Sequence, residues 1–169
     1  MESYKTERLI LKPASVDDVG FFLKLYNMPK FIKYIGDRNI RTEEDARNYI
    51  ENRFLPQLEK RGFGNYVVSL KENGEKIGAV GVFEREGLDV VDIGFSFFEE
   101  YEGKGYAFES ANKLSQVVKQ KFGIEKLSAI TTKDNLSSQK LIRKLGLKFQ
   151  KYIMLPDDPE ELMYFEGDL

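Results

Sequence analysis

"FSFFEEYEGKGYAFESANKL", residues Phe95 to Leu114, begins as a β-rich run, passes through two glycines and continues as an amphipathic segment. After the glycines, apolar residues recur at three- and four-residue steps, which is typical of one buried helix face. These residues are Ala107, Phe108, Ala111, Leu114, Val118 and Phe122. The stretch therefore predicts a strand, a glycine-rich turn and a helix that ends at Gly123.

The glycine-rich turn lies where an anion can bind. The first N–H groups of a helix have no partner within the helix, and the peptide dipoles place about half a positive charge there. Gly103 and Gly105 let the backbone approach a bulky anion, and Lys104 adds a mobile positive charge. "EGKGYA" is interpreted as a pyrophosphate cradle, although a glycine pair between strand and helix is more often only a tight turn. The spacing of neither the Walker motif nor the dinucleotide motif is present, which disfavours nucleoside triphosphates and NAD.

The rest of the chain predicts a mixed sheet in a single domain, residues 1–169. "RLILKP" is a short strand, and capping-box spacings at Ser15 and at Thr42 predict two helices. "NYVVSL", "KIGAVGVFE" and "VVDIGFSFF" predict an antiparallel meander with a hairpin at Asn73-Gly74. "KLSAITT" after the long helix predicts a right-handed crossover between parallel strands.

A last helix at "SSQKLIRKLG" and strands near "FQKYIML" and "ELMYFEG" complete the predicted elements. The fold class is α/β (α+β). It is a mostly antiparallel twisted sheet of about seven strands and about four helices, with one parallel β-α-β crossover.

Composition excludes several classes of function. The chain has no Cys and no His, which rules out disulfides, thiolate zinc sites, Cys nucleophiles and His-based triads, and no metal is expected. A formal charge of -2 disfavours nucleic-acid binding. No apolar run approaches the roughly 18 residues of a membrane span, and the N-terminus lacks the features of a secretory signal. A cytoplasmic protein is expected.

Two motifs carry a family resemblance. "YEGKGYAFES" resembles the acetyl-CoA signature of the GNAT superfamily of N-acetyltransferases, Q/R-x-x-G-x-G/A, with Glu102, Gly105 and Ala107 at its key positions. "NLSSQKLIRKLGLKF" resembles the N-x-x-S signature of the ribosomal-protein serine/alanine N-acetyltransferase branch, through Asn135 and Ser138. The N-terminal "TERLILKPASVDDVGFFLKLYNMP" also resembles that branch. The likeness therefore covers nearly the whole chain.

The resemblance implies which residues hold acetyl-CoA, the acetyl donor. These residues are Gly103, Lys104, Gly105, Tyr106, Ala107, Asn135 and Ser138. Phe97 and Phe98 would line the thioester tunnel, where free backbone groups of the strand pair with the pantetheine arm. Ser138 would face the thioester and could hydrogen-bond its sulfur, whereas a serine in the first turn of a helix is usually a cap.

Two departures from the family pattern concern charge and chemistry. Glu102 stands where Gln or Arg is usual, beside the expected pyrophosphate. Ile142 stands where many members carry a Tyr that protonates the departing thiolate. The implied reaction is direct attack of a primary amine on the thioester, which needs neither a metal nor a covalent enzyme intermediate.

Asp92 is the first candidate for removing the proton of the amine, followed by Glu99 and Glu100 or a water relay. In a regular strand Asp92 shares one face with Gly94, Ser96 and Phe98, and a carboxylate in an apolar strand suggests proton transfer. An exposed Asp that merely solvates one face of the sheet is the more common arrangement.

The acceptor amine is less well defined. "NMPKFIKYIGDRNI" is expected to be an irregular basic and aromatic rim in which Phe31 and Tyr34 contact the substrate, and it favours an acceptor with some negative charge. A protein N-terminal amine is preferred over a small amine such as a polyamine or an antibiotic. A non-catalytic acyl-CoA sensor is the third reading. The sequence leaves a homodimer open.

Overall fold

The computed structural model describes residues 1–169 and contains one eight-stranded sheet. The strands are β1 Tyr4–Lys5, β2 Leu9–Pro13, β3 Asn65–Leu70, β4 Lys76–Phe83, β5 Asp92–Phe97, β6 Lys126–Thr131, β7 Lys148–Ile153 and β8 Leu162–Asp168. Their spatial order is β1-β2-β3-β4-β5-β6-β8-β7. Only β5 and β6 are parallel neighbours.

Six α-helices flank this sheet. They are α1 Val19–Tyr26, α2 Pro29–Tyr34, α3 Glu43–Tyr49, α4 Leu55–Arg61, α5 Tyr106–Phe122 and α6 Leu136–Lys144. A π-helical segment, Ile50–Phe54, joins α3 to α4. Proline lacks an N–H and clashes with the carbonyl four residues earlier, so the wider π turn lets the chain stay helical ahead of Pro56. None of the helices is long and apolar enough to cross a membrane.

Each face of the sheet buries its own apolar cluster. Neighbouring residues of a strand point to opposite faces, so Val68 and Val80 belong to one cluster while Val67 and Ala79 belong to the other. The first cluster packs against α5, and the second packs against α1, α3 and the π-helical segment. The long helix that follows the glycines is therefore fixed to the sheet through its apolar face.

The predicted fold class is confirmed, with small differences in count. Both capping boxes form, at Ser15 with Asp18 and at Thr42 with Asp45, and Gly123 ends α5 with a φ of 67°. The sheet has eight strands rather than about seven, because the two-residue β1 is too short to leave a periodic pattern. There are also more helices than predicted.

One extra helix lies in the segment that the sequence predicts to be irregular. Pro29 is the first residue of α2, where its fixed φ suits a helix and its missing N–H costs nothing. The prediction was wrong because a helix of six residues is shorter than the window in which helical periodicity can be recognised.

The parallel strands β5 and β6 separate almost as soon as they pair. A single residue pair, Asp92 with Ser128, is in register between them, and Ser128 N donates to Val91 O at 2.9 Å. Beyond that bridge the strands diverge toward their carboxyl ends. Because β5 leads to α5 and β6 leads to α6, the N-terminal ends of both helices border the gap.

Candidate functional site

The turn before α5 presents a row of free backbone N–H groups. Gly103 and Gly105 have φ values of 74° and 83°, in the left-handed region that favours glycine. The first helical hydrogen bond runs from Glu109 N to Gly105 O, and the N–H groups of residues 103 to 108 donate no hydrogen bond within the chain. Lys104 is exposed. Such a row at a helix start forms an anion-binding site, so the turn fits the predicted cradle.

A second set of free backbone groups lines the gap between β5 and β6. Because Val91 O bonds to β6 and alternate residues of a strand face the same neighbour, the N–H and C=O groups of Phe95 and Phe97 face the gap. No β6 residue pairs with either of them. An extended ligand could complete the sheet there.

Phe98 does not contribute to this edge. Its N–H donates to Ile77 O at 3.0 Å, and its C=O accepts from Tyr101 N at 2.9 Å. The expectation that Phe98 offers backbone groups to a ligand is therefore corrected in favour of Phe95, which the sequence reasoning missed. The rings of Phe97 and Phe98 are buried in the two opposite clusters, so neither ring is free to line a tunnel.

On the other side of the gap, the start of α6 presents two free polar groups. Asn135 caps the helix, since its Oδ1 accepts from Ser138 N at 3.3 Å, and its Nδ2 donates no hydrogen bond within the chain. The half-buried Ser138 hydroxyl makes no hydrogen bond either, so the serine itself is not the cap. Ile142 is 1% exposed and belongs to the core.

Thr132, which follows the last residue of β6, adds a buried polar atom that the sequence reasoning did not single out. Its Oγ1 is the one buried side-chain oxygen or nitrogen without a hydrogen-bond partner. A buried hydroxyl without a partner costs free energy unless a water or a ligand bonds to it. Nothing in the local sequence marks this threonine.

The charge of Glu102, next to the glycines, is neutralised by Lys30, which is far away in sequence but in contact in the fold. Lys30 of α2 lies 2.8 Å from Glu102 and 3.6 Å from Glu99, between Nζ and carboxylate oxygens. The hydrogen bond to Glu102 raises the pKa of Lys30, so the ammonium stays charged. The negative charge that departs from the family pattern is therefore offset before any anion arrives.

Asp92 lies at the closed end of the gap, away from the glycines. Its side chain is 2% exposed, and Arg85 Nε donates to its Oδ1 at 3.1 Å. Burial raises the pKa of Asp92, and Arg85 opposes that rise. The expected alternative, an exposed Asp on the sheet face, is excluded. The pairing gives Asp92 a structural partner, and a role in proton transfer stays a prediction.

The predicted acceptor rim is only partly available. Phe31 is 5% exposed and stacks on Tyr26 with 4.2 Å between ring centroids, so its assignment as a substrate contact is corrected to a core residue. Tyr34 is partly exposed beneath Lys33. Ile32 and Ile35, which the sequence reasoning did not select, are exposed on the same segment.

The basic character of the rim is also weaker than its composition suggests. Arg41 is paired with Asp37, and Lys30 is paired with Glu102. The preference for a negatively charged acceptor rests on the basic side chains of Lys30, Lys33, Arg38 and Arg41. Two of these four are therefore already neutralised. That preference loses half of its support.

A sheet that splits beside two helix starts, with free N–H groups at one of them, has a shape and polarity that suit an extended anionic ligand along a strand edge. The family model described as "Acetyltransferase (GNAT) domain" matches residues 8–148. The chain belongs to this family of acetyltransferases, as the two sequence motifs predict.

Three similar proteins illustrate the relationship. A curated relative from Bacillus licheniformis, "Uncharacterized N-acetyltransferase p20", is 28% identical over 161 residues, which cover 93% of this chain and 87% of the relative. The ribosomal-protein-S5-alanine acetyltransferase from Vibrio fischeri shares the fold with a TM-score of 0.82 at 17% identity, over 99% of this chain and 97% of that one. RimL, a ribosomal alpha-N-protein acetyltransferase solved with coenzyme A, gives a TM-score of 0.78 at 17% identity, over 99% and 98%.

Proposed function

We propose that the protein transfers the acetyl group of acetyl-CoA to a primary amine, most favourably a protein N-terminal amine. The observation that carries this proposal is the run of free N–H groups at residues 103 to 108 beside the open edge of β5. Together they match a ligand with a pyrophosphate and an amide-containing arm. Ser138 and Asn135 of α6 offer donors on the opposite side of the gap.

The chemistry requires two proton movements. The amine nitrogen forms a bond to the acetyl carbon, the carbon–sulfur bond breaks, and the electron pair leaves with the sulfur, which becomes the thiolate of coenzyme A. The nitrogen then loses one proton to water, and the thiolate takes up a proton from water. With Ile142 buried where many relatives have a Tyr, the Ser138 hydroxyl is the group proposed to hydrogen-bond the departing sulfur.

A panel of amines with acetyl-CoA, read by release of free coenzyme A, tests this proposal. We expect thiol release with a peptide that begins with a free Ala or Ser, and little release when the same peptide carries an acetylated N-terminus. Faster release with a polyamine or an aminoglycoside would identify a small-molecule enzyme. Binding of acetyl-CoA without thiol release with any amine would identify a sensor and contradict the proposed catalysis.

Ser138→Ala separates turnover from binding. We expect kcat to fall about three- to tenfold while the dissociation constant of coenzyme A stays within twofold, because the hydrogen bond gains about 1 kcal/mol as charge develops on the sulfur. Steady-state kinetics and calorimetry measure the two quantities. Ser137→Ala controls for a change in the cap, since the exposed Ser137 hydroxyl donates to the same Asn135 Oδ1 at 3.3 Å. Equal turnover in all three proteins would remove Ser138 from the mechanism.

A further inference from the structure

Arg8 reaches the glycine-rich turn from the other end of the sequence. It lies between β1 and β2, and its Nη1 donates to Lys104 O at 3.0 Å. Its guanidinium carbon lies 4.4 Å from the centre of the Tyr106 ring. The guanidinium is thus wedged between the turn and the first residue of α5, where nothing in the mechanism so far uses it.

Glu109 holds Arg8 in this position. Arg8 Nε donates to Glu109 Oε1 at 2.8 Å, Arg8 N donates to Oε2 at 3.1 Å, and the Thr6 hydroxyl donates to the same Oε2. Partial burial raises the pKa of Glu109, but the hydrogen bonds from Thr6 and Arg8 outweigh it and hold the pKa below its usual value. The carboxylate is therefore ionised at neutral pH and fixes the plane of the guanidinium.

The bond to Lys104 O determines where the next N–H points. All peptide bonds are trans, so the carbonyl of Lys104 and the N–H of Gly105 point in opposite directions across one rigid plane. Arg8 holds the carbonyl, and the Gly105 N–H is therefore directed away from Arg8, where it has no acceptor within the chain. Gly105 itself does little to fix the orientation of this peptide plane, because glycine adopts positive and negative φ about equally well.

We propose that Arg8 is a positioning residue, which fixes the Lys104–Gly105 peptide so that the Gly105 N–H faces the diphosphate of the acyl donor. The inference rests on the proposed function, since it requires a diphosphate in the cradle. Arg8 acts through the backbone rather than by touching the ligand. Arg8 therefore contributes to the binding only of acetyl donors that carry the diphosphate.

Calorimetry with coenzyme A measures the effect directly. Arg8→Met removes both polar contacts and keeps much of the aliphatic stem, and we expect coenzyme A to bind about three- to tenfold more weakly. Arg8→Lys keeps a charge but lacks the fork that bonds Lys104 O and Glu109 together, so an intermediate affinity is expected. Lys121→Met is the matched control, because Lys121 of α5 pairs with Glu2 and joins the N-terminal segment to the opposite end of the same helix. Its affinity should be unchanged.

Two further readouts separate positioning from general loosening and from direct contact. S-acetylpantetheine lacks the diphosphate, so its kcat/KM should stay within twofold in Arg8→Met while that of acetyl-CoA falls. In proton–nitrogen spectra, coenzyme A should shift the Gly105 amide proton downfield in the unaltered protein and less in Arg8→Met. A direct contact between Arg8 and phosphate would leave the Gly105 shift the same in both.

Different results overturn different conclusions. Equal coenzyme A affinity in Arg8→Met and the unaltered protein overturns the positioning inference alone, as does an equal loss with both acetyl donors or an identical Gly105 shift. If Arg8→Met does not fold, the same comparisons with Arg8→Lys decide. An unaltered protein that fails to bind coenzyme A overturns the proposed function, and this inference with it.

Discussion

A Gly105→Val variant binds coenzyme A at least tenfold more weakly than the unaltered protein, a loss of about 1.4 kcal/mol. The φ of Gly105 is 83°, which a β-branched residue adopts only with strain. A Cβ there would lie 3.3 Å from Arg8 Nη2, tighter than most such contacts. Valine therefore either rotates the peptide that presents the Gly105 N–H or pushes Arg8 away from Lys104 O, and both changes weaken an anion site built from backbone groups.

Gly74→Val is the matched control for the backbone strain. Gly74 has a φ of 73° in the loop between β3 and β4, and no heavy atom lies within 4 Å of a Cβ placed there. This variant should lose stability for the same conformational reason while keeping its affinity for coenzyme A. Gly105→Ala provides a milder change if valine prevents folding. Unchanged calorimetric affinity in a folded Gly105 variant would mean that the ligand does not use this turn.

The position of the glycine-rich turn and its flanking elements could be predicted because the signals are local. A β-rich run, two glycines and a helical repeat follow one another within twenty residues, from Phe95 to Leu114, and each has a direct conformational meaning. The free N–H groups follow from the helix start itself. The strand, the turn and the helix therefore appear in the structure as predicted. The cap of α6 is equally local, but the sequence pattern suggested Ser138 for it, whereas Asn135 accepts from Ser138 N.

The errors concern contacts between distant segments. Whether Phe95 or Phe98 faces the gap depends on the register with β4, which fixes Phe98 N on Ile77 O. Burial of Phe31 depends on stacking against Tyr26 of another helix. No sequence pattern states either pairing. For the same reason the sequence did not indicate a role for Arg8, which is 96 residues from the Lys104 carbonyl to which it donates a hydrogen bond.

Asp92 is where local and tertiary information point in different directions. An acid in an apolar strand suggests chemistry, whereas the ion pair with Arg85 explains the residue by structure alone. Asp92→Asn distinguishes the two accounts. If Asp92 is a base that acts through water, Asp92→Asn lowers kcat/KM by up to the factor of 10² to 10⁴ typical of general bases and leaves coenzyme A binding unchanged. If Asp92 is only a structural partner of Arg85, the variant has a lower melting temperature and an unchanged kcat/KM. Asp89→Asn, an exposed change in the preceding turn, controls for the loss of charge.

The pH profile tests the same step without a mutation. A lysine-like amine with a pKa of about 10.4 is neutral in roughly one molecule in two thousand at pH 7, whereas an α-amino group near 8 is roughly one-tenth neutral. Since no His is present and Asp92 is buried, we expect kcat/KM to rise about tenfold per pH unit until the pKa of each acceptor is reached.

A base that belongs to the enzyme would behave differently. Burial raises the pKa of Asp92, so the ionised carboxylate that accepts a proton forms at a higher pH than in an exposed Asp. Once that carboxylate has formed, the rate would reach a plateau at a pH well below the pKa of the amine. Measuring kcat/KM from about pH 6 to 10 with a peptide N-terminus and a lysine-like amine separates the two cases. A profile that levels off at about pH 8 for the peptide and still rises at about pH 10 for the lysine-like amine supports a water relay in which the acceptor supplies the titrating group. A shared inflection for both acceptors would assign that group to the protein and contradict the relay.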